Sequence, residues 1–161
     1  MSITSAQYFL GKTPAPGHAT NATWLLAAVN ALLYEAAEDG AYDYDIDIDT
    51  NSQISGAHGG RGDGGYRLPD STTGAPSSTH REANAVDVYD PQRTLAAWCV
   101  ANPDRLAAHG LWCEDFRWTP VWCHFQRVPP RSGKRIYIPS ISRPLAPALP
   151  GQKPMPFEVK V

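Results

Sequence analysis

The sequence predicts a single α+β domain, with a small antiparallel sheet and helices packed on one side of it. Three observations carry that prediction. One long run places apolar residues at helical spacing, several short runs alternate apolar with polar residues, and a chain of 161 residues with 42% hydrophobic content is enough for one core. The domain is assigned to residues 1–140, and residues 141–161 are read as a Pro-rich extended tail.

The first element is a helix over Thr23 to Asp39, where Leu25, Leu26, Val29, Leu32, Leu33 and Ala36 share one face, Asn21 is placed to cap the start and Gly40 to end it. Next, Tyr42, Tyr44, Ile46 and Ile48 alternate with Asp43, Asp45, Asp47 and Asp49, the period of a strand with one wet face. That acidic run lacks the glycine and the closing glutamate of a calcium-binding EF-hand loop, so it reads as an edge strand whose charges resist further pairing. Residues 55–79, rich in Gly, Ser, Thr and Pro, are read as a functional loop that forms a substrate-facing wall. An RGD triplet at Arg61 to Asp63 is too short to argue for adhesion. After the strand-like NAVDVY, Asp90 and Pro91 are expected to start a helix through LAAWCVA, and Asn102 and Pro103 to start a shorter one closed by Gly110. VWCHFQ is a second β-rich run, with RIYIP as its hairpin partner. The prolines at 144, 147, 150, 154 and 156 keep the tail extended, suited to lying along its own domain or a neighbour.

Composition excludes several classes. Charged residues make up 19% with a formal net charge of -2, so there is no broad basic surface for nucleic acid. No run approaches the roughly 18 apolar residues of a membrane span. Met1 to Gly11 lacks the basic and apolar regions of a secretory signal, so synthesis in a cytosol is expected, with no signal-directed export. Cys99, Cys113 and Cys123 are odd in number and form no CxxC pair, which argues against a disulfide framework or a zinc knuckle and favours reduced, buried thiols.

The chemistry concentrates in Ser78-Thr79-His80-Arg81-Glu82-Ala83-Asn84-Ala85-Val86-Asp87. A histidine on a loop entering a strand, and a carboxylate inside that strand between two valines, can meet on one face, and a buried carboxylate needs a partner or a metal. His124 shares its face of VWCHFQ with Trp122 and Gln126, while Cys123 points the other way. Two imidazoles and a carboxylate make a common catalytic zinc shell with one position open. His80, Asp87 and His124 are therefore the expected ligands of one Zn2+.

These residues resemble the signature of the zinc D-alanyl-D-alanine peptidases and phage endolysin peptidases, whose fold is shared by hedgehog signalling domains. That signature runs SxHxxGxAxD and is followed much later by an aromatic residue and a histidine on a strand. Ser78, His80, Ala85 and Asp87 match it, Ala83 replaces its glycine, and Trp122-Cys123-His124 looks like its second half. Ile54-Ser55-Gly56 and Gly65-Tyr66-Arg67 look like the family's SGYR element, split by a Gly-rich insertion. The resemblance spans residues 54–139. It implies a hedgehog/DD-peptidase-like fold and a peptidase acting on the stem or cross-bridge peptides of peptidoglycan. In this reading Arg67 holds a substrate carboxylate or carbonyl, and Ser78 and Trp122 contact substrate. It also implies a phage product, carried in the virion or released at lysis.

Many family members carry the general base three residues before the last histidine, where this chain has Val121. Glu114, with Asp115 as the alternative, is the expected base. His58 and His109 are further candidates as electrophile or shuttle. The rival reading is a metal-binding virion or tail component of the same fold, attached to other virion proteins through its tail; a third is a module that binds wall peptides without cutting them.

Overall fold

The computed structural model describes residues 2–43, 53–55, 63–119 and 121–139. The alternating acidic run beyond Asp43, His58, Arg61 and Gly62 of the RGD triplet, and the Pro-rich tail lie outside the described residues. Helices α1 (Ser5–Phe9), α2 (His18–Glu38), α3 (Thr94–Ala101) and α4 (Pro103–Ala108) accompany a sheet of four strands, β1 (Ala85–Tyr89), β2 (Trp112–Glu114), β3 (Trp122–Gln126) and β4 (Ile136–Tyr137). None of the described helices is long and apolar enough to cross a membrane.

Helix α1 is held by local chemistry. Thr4 Oγ1 accepts from the Gln7 amide at 3.2 Å while the Gln7 side chain accepts from the Thr4 amide at 2.8 Å, a reciprocal capping box. Tyr8 then enters the core and donates its hydroxyl to the Ala85 carbonyl at 2.9 Å, fastening the N-terminal segment to β1. Helix α2 starts earlier than its apolar periodicity indicates, at His18 behind Gly17. Asn21 is not its cap: it lies inside the helix, and its amide donates to the Glu82 carbonyl at 2.8 Å. The predicted face is buried as expected, from Ala22 and Leu25 to Ala36, and Gly40 takes the left-handed conformation at φ 70 just past the end.

Asp90 does cap the next helix, but from a distance. The chain turns through Pro91 to Arg93, the helix begins at Thr94, and the Asp90 carboxylate accepts from Leu95 N at 3.3 Å and Ala96 N at 2.8 Å. Asn102, Pro103 and Gly110 bound α4 as the sequence indicates.

The sheet order is β1-β3-β2-β4, and it is mixed rather than antiparallel. β1 and β3 pair antiparallel along their full length, with Asp87 opposite His124. β2, unforeseen from sequence, pairs antiparallel with β3 and parallel with β4. RIYIP is therefore not the hairpin partner of VWCHFQ. After β3 the chain crosses β2 and joins its far edge, because β1 and β2 already occupy both edges of β3. Val86, Val88, Cys113, Cys123 and Phe125 face one core shared with the buried sides of the helices. The alternate positions Asp87, His124 and Gln126 face the other way, and that face carries the polar site.

Candidate metal centre

The pairing of β1 with β3 sets Asp87 and His124 directly across from each other, the closest approach two side chains on a sheet face can have. His80 reaches them from a 3-10 turn, Thr79–Glu82, that immediately precedes β1. That turn ends at Ala83 with φ 56, the left-handed region that favours glycine. Asn84 N bonds back to Thr79 O at 3.0 Å and closes the turn on itself.

His124 Nδ1 lies 2.7 Å from Asp87 Oδ1, and His80 Nε2 lies 3.4 Å from the same oxygen. One donor atom from each of the three residues falls within 4.8 Å of the others. Two ligands bonded to a zinc-sized ion at roughly 2.0–2.2 Å sit about 3.4 Å apart at a tetrahedral angle, so small side-chain rotations bring the three donors around one ion. All three residues are buried, at 3%, 7% and 6% exposure, a position that charged and imidazole groups occupy when they are paired or bound.

The surroundings orient these donors. His80 Nδ1 is 2.9 Å from the Gly65 carbonyl, so that nitrogen carries the proton and Nε2 presents its lone pair to the centre. Gly65 is required at its place: a Cβ there would lie 2.2 Å from the Tyr8 carbonyl oxygen. His124 Nε2 faces Gln126 Oε1 at 3.3 Å, which leaves Nδ1 for the centre. The same oxygen accepts from the Tyr137 hydroxyl at 2.7 Å, and Thr79 Oγ1 lies 3.4 Å away, while the Gln126 amide nitrogen donates to Val128 O. Burial opposes charge on Asp87, but the two histidines hold its carboxyl far below the usual range. Burial likewise opposes protonation of His124, yet the Asp87 carboxylate outweighs it and pushes the ring up to about 9. His80, with burial dominant, is shifted down.

A cleft of about 620 Å3 opens over this group, lined among others by Arg67, Ser78, Glu114, Trp122 and Tyr137. Gly74, Ala75 and Ser77 to Thr79, from the end of the Gly- and Ser-rich loop, contribute to its wall. The Arg67 guanidinium donates to Asp87 Oδ2 at 3.3 Å and Asp63 O at 2.6 Å, and reaches Ser78 Oγ at 3.5 Å. It passes so close to Gly74 that a Cβ there would lie 2.5 Å from Nη1. Glu114 and Asp115, the two candidate bases, separate clearly. Glu114 stands on the cleft and is near enough to His124 to favour its charged form. Asp115 is turned away onto Arg117, which contacts it at 2.8 Å through Nε and again through Nη2. His109 is bound to Glu35 at 2.8 Å, tying α4 to α2, and is no part of the cleft. Val121 is exposed at the entry to β3 and offers no proton acceptor. Sequence reasoning missed the roles of Gln126, Tyr137 and the Gly65 carbonyl. Gln126 had one visible signal, its place two residues after His124 on the same strand face.

The chain matches none of the family models, curated proteins or solved structures with which it was compared.

Proposed function

We propose that this chain is a zinc-dependent peptidase that hydrolyses peptide bonds of bacterial peptidoglycan, of the DD-peptidase and endolysin type and encoded by a phage. The observation that carries the reading is the buried group His80, Asp87 and His124 at the base of a cleft that also holds Glu114. Two neutral imidazole nitrogens and one carboxylate suit zinc and leave a position open. Zinc, when bound, supplies a Lewis acid that polarises a carbonyl and activates water.

The chain's own residues carry the other roles. Glu114 accepts a proton from water in the cleft and returns it to the leaving amine, the task of a general base that becomes an acid. Gly65 O and Gln126 Oε1 hold the two imidazoles in the tautomers that the centre needs. Arg67 presents a planar guanidinium at the cleft wall beside Ser78, suited to a peptide carboxylate or carbonyl, and Trp122 supplies an apolar wall for the substrate chain.

Purified peptidoglycan incubated with the zinc-loaded protein tests this. Release of new amino termini that disappears in Glu114→Gln, with bound metal unchanged, is the expected result. Full metal content without product would instead favour the virion structural reading. The absence of a carboxylate at Val121 is the observation on that side. Sedimentation with sacculi without cleavage would identify a wall-binding module.

A further inference from the structure

Cys99, Cys113 and Cys123 are the chain's only cysteines, and the fold brings all three together. They come from different elements, Cys99 from α3, Cys113 from β2 and Cys123 from β3. Each is fully buried, at 0% exposure, and each is a free thiol. Their sulfurs lie within 4.8 Å of one another, with Cys113 and Cys123 at 3.5 Å. Cys123 and Phe125 occupy the face of β3 opposite His124, so the thiol group lies on the core side of the sheet, behind the polar centre.

Thiols that merely fill a core as small apolar groups have no cause to converge, since each can pack against carbon as well as against sulfur. Convergence of three matches a ligand set. Sulfurs bonded to one ion at about 2.3 Å stand roughly 3.8 Å apart at tetrahedral angles, between the 3.5 Å separating Cys113 and Cys123 and the 4.8 Å that bounds all three pairs. The Glu114 carbonyl oxygen is 3.2 Å from Cys113 Sγ, near enough to serve as a fourth, backbone donor.

We propose that Cys99, Cys113 and Cys123 form a second metal site, a closed structural site for one soft d10 dication of the zinc class, completed by the Glu114 carbonyl. Thiolates select such ions over hard oxygen-seeking ones. On loading, each thiol releases its proton to solvent as its sulfur–metal bond forms, with no change of oxidation state. Two of the three negative charges are offset by the ion. With its donors supplied by protein and its surroundings dry, the site binds no substrate. It clamps α3 to β2 and β3, the strands that carry Glu114 and His124.

The test uses the whole chain, stripped of metal, kept anaerobic with a phosphine reductant, and titrated with Cd2+ alone. The expected result is an ultraviolet sulfur-to-cadmium charge-transfer band whose full amplitude corresponds to one thiolate-bound ion per chain. That band persists in the double variant His80→Ala, His124→Ala, and is lost in Cys113→Ala and in Cys123→Ala. Because the histidine variant is blind to the thiols, this outcome is independent of whether the polar centre binds zinc. Absence of the band in the unaltered chain, or its survival in either cysteine variant, overturns the proposal. Should those variants fail to fold, X-ray absorption on the His80→Ala, His124→Ala chain loaded with one cadmium decides: three sulfur neighbours uphold the site and fewer overturn it.

Discussion

Gln126 shows how much of the centre depends on side chains that supply no donor atom of their own. Its Oε1 faces His124 Nε2 and takes the Tyr137 hydroxyl, so a single amide oxygen fixes both the ring tautomer and one wall of the cleft. Replacing it with methionine keeps the volume and removes the acceptor. Loss of such a partner to a metal-binding histidine costs about 10–100-fold in metal affinity, so Gln126→Met is expected to weaken zinc binding by that factor. Competition with a chromophoric chelator measures it, and an unchanged affinity would show that packing alone orients His124. Asp87 is the stricter case. It is buried, it accepts from Arg67, and both histidines converge on one of its oxygens. Asp87→Asn removes the charge and places a hydrogen-bond donor where acceptors are needed, so metal content should fall by one ion per chain; an unchanged metal stoichiometry would exclude Asp87 as a ligand.

At the level of elements, the site rests on a glycine that lets three segments meet. Gly65 lies against the Tyr8 backbone of α1, its neighbour Tyr66 donates its amide to Tyr8 O at 3.0 Å, and its own carbonyl accepts from His80. A methyl group there meets backbone at 2.2 Å, which cannot move as a side chain tip can. Gly65→Ala is expected to cost about 1–3 kcal/mol of stability, the range for overpacking, and to weaken metal binding as His80 shifts. Thermal unfolding and metal titration of the same variant read the two effects; a lowered midpoint with unaltered affinity would separate the glycine from the centre. The elements also explain what was legible in the sequence. Asp87 and His124 could be placed on matching faces because strand alternation depends only on local spacing, and both strands are apolar enough to announce themselves. β2 was not legible, since Trp112 to Glu114 is too short for alternation and is followed at once by Asp115. The wrong partner for RIYIP followed from pairing runs by nearness in the chain, whereas the actual neighbour of β4 is set by which sheet edge remains open. Convergence of the cysteines was likewise invisible, because it depends on how α3 packs across two strands that are not consecutive with it.

For the whole molecule, the centre couples stability to pH and metal in opposite directions. His124 has an ordinary value of 6.5 and stands at about 9 in the folded chain, so its protonated form favours folding. In the metal-free protein that contribution is fully present below 6.5 and is lost as pH rises through about 9. The depressed carboxyl of Asp87 works the other way at the acid end: its contribution is present above its ordinary 3.8 and is lost only as pH falls through its much lower folded value. Zinc must displace the His124 proton to bind, so affinity for metal rises across the same interval in which the metal-free fold weakens. Metal present at about 100 times its dissociation constant stabilises by roughly 2.7 kcal/mol, and with about 2–4 °C per kcal/mol for a chain of this size the unfolding midpoint should rise by about 5–10 °C. Melting curves at pH 6.5 and pH 9, at one fixed zinc concentration, should therefore show the metal-free midpoint falling and the gap between loaded and metal-free protein widening. The same curves for His124→Ala should show a smaller widening, because the His124 proton that zinc displaces is gone and only the thiols still give up protons to the ion. A gap that stays constant with pH in the unaltered chain would mean that the ion does not compete for the His124 ring, and His124 would have to be removed from the ligand set.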